Sequence, residues 1–495
     1  MAWLKEPITD VRPVRNYIDG EWADSSGELR DVINPATGKA IARVPSSPSE
    51  EIAAAVGAAR RAFPEWRRTP PIARARLLFH LKELMEDAFE EASRIQTQEH
   101  GKTIDESRGE TRRGIENVET ACGIPSLLQG DYSQDVASGI DEWVVPTPLG
   151  VFGIIAPFNF PWMIPLWSAP YAVAAGNCIV VKPSDEVPLS QDKIAQLVDE
   201  AGFPPGVWNV VHGGTATGSA LLEHPDVAGI TFVGSTPVGR TVYERCGATG
   251  KRVAAQCGAK NFLVILPDCN VDRTIAALMT SVFGNAGQRC LAGANCLIVD
   301  DSSSFYADFV AEIVERSSSI RLGYGLDESV QMGPLHDRRK KEKVLGCIDR
   351  GVEEGARLLL DGREPSLPGD VSAQCFLGPT VFEDVDPESS IGKEEIFGPV
   401  MSIMRTGTLD EALRIVNANP YGNGHCIFTQ DGGSAREFAY GVESGNVGIN
   451  IGVAAPMAFF PFGGMKDSFF GTLHMQGRDA IRFFTDPKVV IQRWL

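Results

Sequence analysis

Along this chain apolar residues first recur at helical spacing. From about residue 149 they gather into short runs between helical segments. At Ser47 a helix is predicted to begin: Ser47 can cap, Pro48 takes the first helical position and Glu50 completes a capping box. Ile52, Val56, Ala59 and Phe63 follow at helical spacing and give one apolar face. A second long amphipathic stretch runs from about Ile72 to Gln98 and on toward Glu116. A hydrophilic loop carrying Asp131 to Asp141 comes after it.

Beyond 149 the runs Gly150–Ala156, Cys178–Val181, Val207–Val211 and Gly229–Val233 read as strands, with helices over Trp162–Ala175 and 190–201. Continuous apolar strands alternating with helices are what a parallel sheet covered on both faces requires. The pattern predicts a doubly wound α/β lobe of the dinucleotide-binding type. Asn261–Leu266 opens a second alternating region, with helices near 271–283, 303–316, 338–354 and 409–417. No fixed-period repeat or low-complexity linker separates the two regions, so two packed lobes with a cleft between them are expected. The final run, Pro487–Leu495, is too apolar for a free tail and is expected to pack, with a partner subunit the favoured surface.

Composition narrows the function. A chain of 495 residues exceeds one ordinary core, and 43% hydrophobic with 22% charged residues is a globular balance. The net charge of −18 argues against nucleic acid or an anionic membrane as the main partner. No apolar run reaches the roughly 18 residues of a membrane span. Residues 1–20 lack the apolar core of a secretory signal, so a cytoplasmic location is expected. The ten cysteines include no CxxC pair and have few histidines nearby, so no metal site is expected. Most should be reduced, buried, small apolar residues, and one could escape that role.

Phe283–Cys290 is the most informative stretch. It places a thiol after a glycine-containing turn and beside Arg289, whose charge would lower the thiol pKa and favour the nucleophilic thiolate. In Ile155–Pro161, Asn159 is held between prolines at a strand end, where its amide could stabilise an oxyanion. Lys182-Pro183-Ser184-Asp185-Glu186 sits at the carboxyl end of a predicted parallel strand, where nucleotides bind in such folds. Gly234-Ser235-Thr236-Pro237-Val238-Gly239 lies between a strand and a helix N-terminus, suited to phosphate. Each segment alone also fits a plain reading: a buried cysteine, a turn asparagine, a solvated loop, a tight turn.

In this order and at these distances the segments resemble the aldehyde dehydrogenase superfamily, from about residue 15 to 495. Asn34-Pro35-Ala36-Thr37-Gly38, Glu394–Val400 and Pro461–Lys466 add to the likeness. The resemblance implies an α/β fold of two doubly wound lobes plus a small β oligomerisation element. It places an NAD-binding domain at 1–123 and 148–257, a catalytic domain at 258–458, and the oligomerisation element at 124–147 and 459–495. It implies Cys290 as nucleophile, with Asn159 and the Cys290 backbone N–H as the oxyanion site. Ala156, Phe158, Lys182, Asp185, Gly234, Ser235, Glu395 and Phe397 become the NAD contacts, Lys182 and Asp185 at the adenosine ribose. A homodimer or homotetramer is implied as well. NAD is preferred to NADP because the Asp185 charge should repel a 2′-phosphate.

One departure bears on the reaction. Hydrolytic members carry Glu-Leu-Gly-Gly-Lys, the glutamate activating the deacylating water; this chain has Gln256-Cys257-Gly258-Ala259-Lys260. Glutamine is not a usable base near neutral pH, whereas a coenzyme A thiol, with pKa about 8.5, is a far better nucleophile than water. Gly258–Asn261 and Gly114–Glu119 are similar to the CoA-acylating methylmalonate-semialdehyde dehydrogenases. In that family two arginines recognise the substrate carboxylate, and Arg113 and Arg289 match them. The implied reaction is NAD-dependent oxidation of malonate or methylmalonate semialdehyde, with decarboxylation, to acetyl-CoA or propionyl-CoA. Two rivals stay open: a hydrolytic enzyme releasing the free acid, and a non-catalytic protein that keeps the fold.

Overall fold

Two large sheets organise the chain. The computed structural model describes residues 3–300 and 304–494. In the first sheet the strands run in the order Phe469–Gly471, Arg252–Gln256, Val227–Val233, Val151–Ile155, Cys178–Lys182, Trp208–Val210, Asn16–Ile18 and Glu21–Ala23. Its five central strands are parallel, and antiparallel strands close both ends. Cys178–Lys182 is buried at every position, as a central parallel strand must be, which explains the apolar run Cys178–Val181 within it. Strand order reverses between Val151–Ile155 and Val227–Val233. The carboxyl ends at such a switch point form a crevice in which ligands bind.

The second sheet orders Arg357–Leu360, Thr380–Glu383, Val400–Thr406, Asn295–Val299, Phe262–Ile265, Gly424–Phe428 and Asn446–Ile449, all parallel except its first pair. The chain passes from one sheet to the other at Cys257–Asn261, leaving a carboxyl end at Gln256 and entering an amino end at Phe262. Cys290 and Phe397 likewise lie just before strands of the second sheet, at Asn295 and Val400. The segments around the cleft therefore come from carboxyl ends of one sheet and amino ends of the other. A third, antiparallel sheet joins Thr485–Arg493, Ile140–Pro148 and Tyr132–Ala137.

Several local expectations need correction. The first helix spans Ser49–Trp66 with Pro48 at its cap and no side-chain capping bond. Ser47 instead accepts from Asn16 Nδ2 at 2.9 Å, and Glu51, rather than Glu50, accepts from Ser26 N and Asn16 Nδ2 at 2.8 Å each. The 72–98 stretch divides into Pro71–Asp87 and Phe89–His100, although hydrogen bonding continues through Ala88. Trp162–Ala175 is two short helices, Met163–Leu166 and Ala169–Ala175, with Pro165 and Pro170 removing donors. The hydrophilic loop is a hairpin turning at Gly139, φ +70°. The helix expected from 303 is described from Ser304; Ser303 and Leu495 lie outside the described residues. The C-terminal strand packs on Ile140–Pro148 of its own chain, with Val489 and Ile491 exposed. Among the described residues no helix is long and apolar enough to cross a membrane.

Candidate active site

A cavity of about 350 Å³ opens at the switch point. Phe158 and Asn159 reach it from the end of Val151–Ile155, Gly234 and Ser235 from the end of Val227–Val233, and Cys290, Glu395 and Phe397 from the second sheet's edge. Seven residues singled out in the sequence thus share one wall. Ser235 stands at the cap of helix Thr236–Thr249, and its hydroxyl makes no capping bond. That leaves a long helix's free N–H groups at the cavity, a setting that favours phosphate.

Ala156, Lys182 and Asp185 do not line this cavity. Ala156 N donates to Lys182 O at 3.1 Å, so the first two are neighbours across adjacent strands. Lys182 is buried, and its Nζ donates to Gly213 O at 3.0 Å. Asp185 is paired with Arg30 through Oδ2 at 2.9 Å, and the same guanidinium donates to its backbone carbonyl. The charge invoked against a 2′-phosphate is therefore partly neutralised, and an arginine nearby is what accommodates such a phosphate. Asp185 so paired gives little discrimination between NAD and NADP.

The nucleophile turn is built from unusual backbone. Helix Val271–Phe283 ends at Gly284, and then Asn285, Ala286 and Gly287 take φ of +55°, +50° and +72°. For the two non-glycine residues this conformation costs about 1–3 kcal/mol each and persists only where surroundings impose it. At Gly287 a Cβ would lie 2.1 Å from Gly398 O, so only glycine fits. Cys290 O accepts from Asn261 Nδ2 and Asn423 Nδ2, both at 2.9 Å. All ten cysteines are free, nine are buried and Cys290 alone is half-buried.

Arg289 does not act on that thiol as its sequence position suggested. Its guanidinium turns away, donating to Glu106 Oε1 at 3.1 Å and Thr280 O at 3.2 Å. Burial pushes the Cys290 thiol up to about 12, with the Glu395 carboxylate adding to the rise. Burial also raises the Glu395 carboxyl, although Ala259 N donates to its Oε1 at 3.0 Å. Both effects hold the resting thiol toward its protonated form.

Asn159 is buried, with its Nδ2 donating to Gln288 O at 3.0 Å. This fixes the amide plane and leaves its second hydrogen for a ligand. A smaller cavity, about 160 Å³, holds Arg113 and Arg289 among Phe160, Met163, Trp167 and Phe462. Residues adjacent in sequence, Cys290 with Arg289 and Asn159 with Phe160, thus face the two cavities. Arg113 Nη1 donates to Glu116 Oε2 at 3.1 Å. Arg289 Nε is buried without a partner among the described residues, a donor that a bound anion would satisfy. Gln256 lines neither cavity: its Nε2 donates to Phe462 O at 2.8 Å, and its Oε1 is buried without a partner among the described residues.

Sequence reasoning missed Lys340 and Lys343, which line the larger cavity. It also missed Asn261 and Asn423, which grip Cys290. Asn261 stood in the run Gly258–Asn261 that carried the family likeness, at the start of the predicted strand Asn261–Leu266, and was given no role; nothing in the sequence marked Lys340 or Lys343.

The profile described as "Aldehyde dehydrogenase family" matches residues 22–490. The chain is 44% identical over 487 residues to malonate-semialdehyde dehydrogenase 2 of Geobacillus kaustophilus, covering 98% of this chain and 100% of that protein. It is likewise 44% identical over 482 residues to malonate-semialdehyde dehydrogenase of Pseudomonas aeruginosa, 97% and 96% of the two chains. The crystal structure of methylmalonate-semialdehyde dehydrogenase DddC from Oceanimonas doudoroffii superposes with TM-score 0.96 at 41% identity, over 98% of this chain and 99% of that one. The crystal structure of PnpE in complex with nicotinamide adenine dinucleotide gives 0.92 at 33%, over 97% of both chains.

Proposed function

The chain belongs to the aldehyde dehydrogenase family, and we propose that it oxidises malonate or methylmalonate semialdehyde with NAD through a thioester on Cys290, which coenzyme A then accepts. One observation carries this reading. A thiol and an oxyanion donor face a cavity at the switch point, while the neighbouring cavity holds two guanidiniums, one with an unpartnered donor.

NAD fits the larger cavity: the uncapped helix at Ser235 suits its pyrophosphate, and the Glu395 carboxyl suits ribose hydroxyls. When bound, it supplies a hydride acceptor and a positive charge that favours the thiolate. Arg289 and Arg113 hold the substrate carboxylate, Arg289 through the free Nε–H. Cys290 Sγ adds to the aldehyde carbon, and the new oxyanion takes hydrogen bonds from Asn159 Nδ2 and the Cys290 backbone N–H. Loss of hydride from that carbon leaves a thioester on Sγ. Carbon dioxide departs from the β-carboxylate, a proton replaces it, and the coenzyme A thiol displaces Cys290 to give acetyl-CoA or propionyl-CoA. Gln256 supports this exit, because a side-chain amide does not deprotonate water.

A second reading, hydrolysis to the free acid, draws on Glu395, a carboxyl on the same cavity whose pKa burial raises. The two separate in one assay. NADH formation from malonate semialdehyde should show a burst near one equivalent per site and then slow turnover until coenzyme A is added. Rapid steady turnover without coenzyme A, yielding free acid, would replace the acylating reading by the hydrolytic one. The edge of Thr485–Arg493 that is unpaired among the described residues, with Val489 and Ile491 exposed, supports a homodimer or homotetramer built through this strand.

A further inference from the structure

Helix Ile104–Cys122 begins with a capping box: Thr103 N donates to Glu106 Oε2 at 3.0 Å and Glu106 N donates to Thr103 Oγ1 at 3.4 Å. The other oxygen of Glu106 leaves the helix. Glu106 Oε1 accepts from Asn285 N at 2.5 Å, in the left-handed turn before Cys290, and from Arg289 Nη2 at 3.1 Å. One turn further on, Glu110 is fully buried in an ion pair with Lys102, Nζ to Oε2 at 2.5 Å. Its Oε1 accepts from Trp162 N at 2.9 Å and Met163 N at 3.1 Å. Lys102 Nζ donates to Asn159 O at 2.7 Å and sits 4.3 Å from the centroid of the Phe160 ring. Asn285 Nδ2 donates to Asn159 O at 3.3 Å, joining the two segments directly.

Beyond the capping box and the Lys102–Glu110 pair itself, these contacts end on residues 159–163 or 285–289. A buried ion pair is weak support for stability, since apolar residues of similar volume often serve folding as well or better. A pair whose remaining bonds all reach the Asn159 segment, beside a Glu106 whose other oxygen grips the Cys290 turn, calls for another explanation. We propose that Lys102, Glu106 and Glu110 are positioning residues that hold the Asn159 amide and the Cys290 turn in register, so that the oxyanion site exists before substrate arrives. This rests on the oxyanion role proposed above for Asn159.

The test uses the neutral double variant Lys102→Met/Glu110→Gln, which removes both buried charges while keeping an amide oxygen for Trp162 N and Met163 N. The readouts are thermal unfolding, NAD affinity, iodoacetamide alkylation of Cys290 and the rate constant of the first NADH turnover. Deleting an oxyanion donor costs about 10²–10³ in rate, so a displaced donor should cost about 10–10². We expect that loss in the first turnover, with unfolding, NAD affinity and alkylation close to wild type. Adding Asn159→Ala to the double variant should cost much less than it does in wild type, because the two changes act on one interaction. A wild-type first turnover beside a crippled Asn159→Ala would overturn the inference alone. A parallel fall in NAD affinity and alkylation would also overturn it, marking the pair as structural. Asn159→Ala with unchanged turnover would sink the oxyanion reading and this inference with it. Should the double variant fail to fold, Glu106→Gln decides: a slowed first turnover with intact NAD binding supports the proposal, and an unchanged one overturns it.

Discussion

Arg289→Leu separates substrate recognition from general damage, and the structure sets its size. The guanidinium is 15% exposed and shares Glu106, itself 15% exposed, so two of its donors are engaged before any substrate arrives. The bond that a substrate carboxylate would add is to Nε, which is buried and unpartnered among the described residues. A charge-assisted bond contributes about 1.5–3 kcal/mol, so kcat/KM for malonate semialdehyde should fall roughly 10- to 150-fold. Arg113 is 35% exposed and bonded to Glu116. An exposed charge contributes about 0.2–1 kcal/mol, so Arg113→Leu should lose less than about fivefold. Propanal, which lacks a carboxylate, is the internal control: loss of the Glu106 contact would disturb the turn and slow both substrates alike. The assay is initial-rate NADH formation on both aldehydes with coenzyme A saturating. Equal losses on the two substrates would show that Arg289 is structural and would withdraw the carboxylate from its partner list.

Cys290→Ala should abolish NADH formation while NAD still binds by calorimetry; measurable turnover would remove Cys290 from its role. Because burial holds its thiol near 12, alkylation of the wild type without cofactor should still be rising at pH 9, and adding NAD should move the profile to lower pH. Gln256→Glu would set a buried carboxyl against the Phe462 carbonyl that now accepts from the amide. The carboxyl should stay protonated at neutral pH, cost about 1–3 kcal/mol of stability, and give free acid only as pH rises; efficient hydrolysis at pH 7 would contradict this. Arg30→Ala should raise KM for NADP more than for NAD, by up to about fivefold, since the pair with Asp185 is half-exposed. A change of equal size for both cofactors would place Arg30 away from the ribose.

What the sequence made legible follows from what each residue answers to. Cys178–Val181 and Phe262–Ile265 could be read as strands because burial on both faces leaves an unbroken apolar run. Tyr132–Ala137 could not: every one of its six residues is exposed, so nothing in its polarity separates a strand from a loop. Ser47 looked like a cap because the capping box is a local rule, but Asn16, a neighbour only in the fold, had already taken its hydroxyl. Cys290, Asn159, Ser235 and Glu395 were found as separate motifs; strand ends at the switch point bring Asn159 and Ser235 to one cavity, and the facing edge of the second sheet adds Cys290 and Glu395. The electrostatics were the least legible part. Arg289 adjoins Cys290 along the chain, yet its charge is spent on Glu106, and Asp185 meets an arginine 155 residues away. Lys102, Glu106 and Glu110 recur at helical spacing on one face, but residues 102–110 carry five charges and no motif that would single these three out. Only the fold turns that face inward. Charges that cross between lobes leave no periodic trace, so motif reading recovers the groups that react more readily than those that hold them in place.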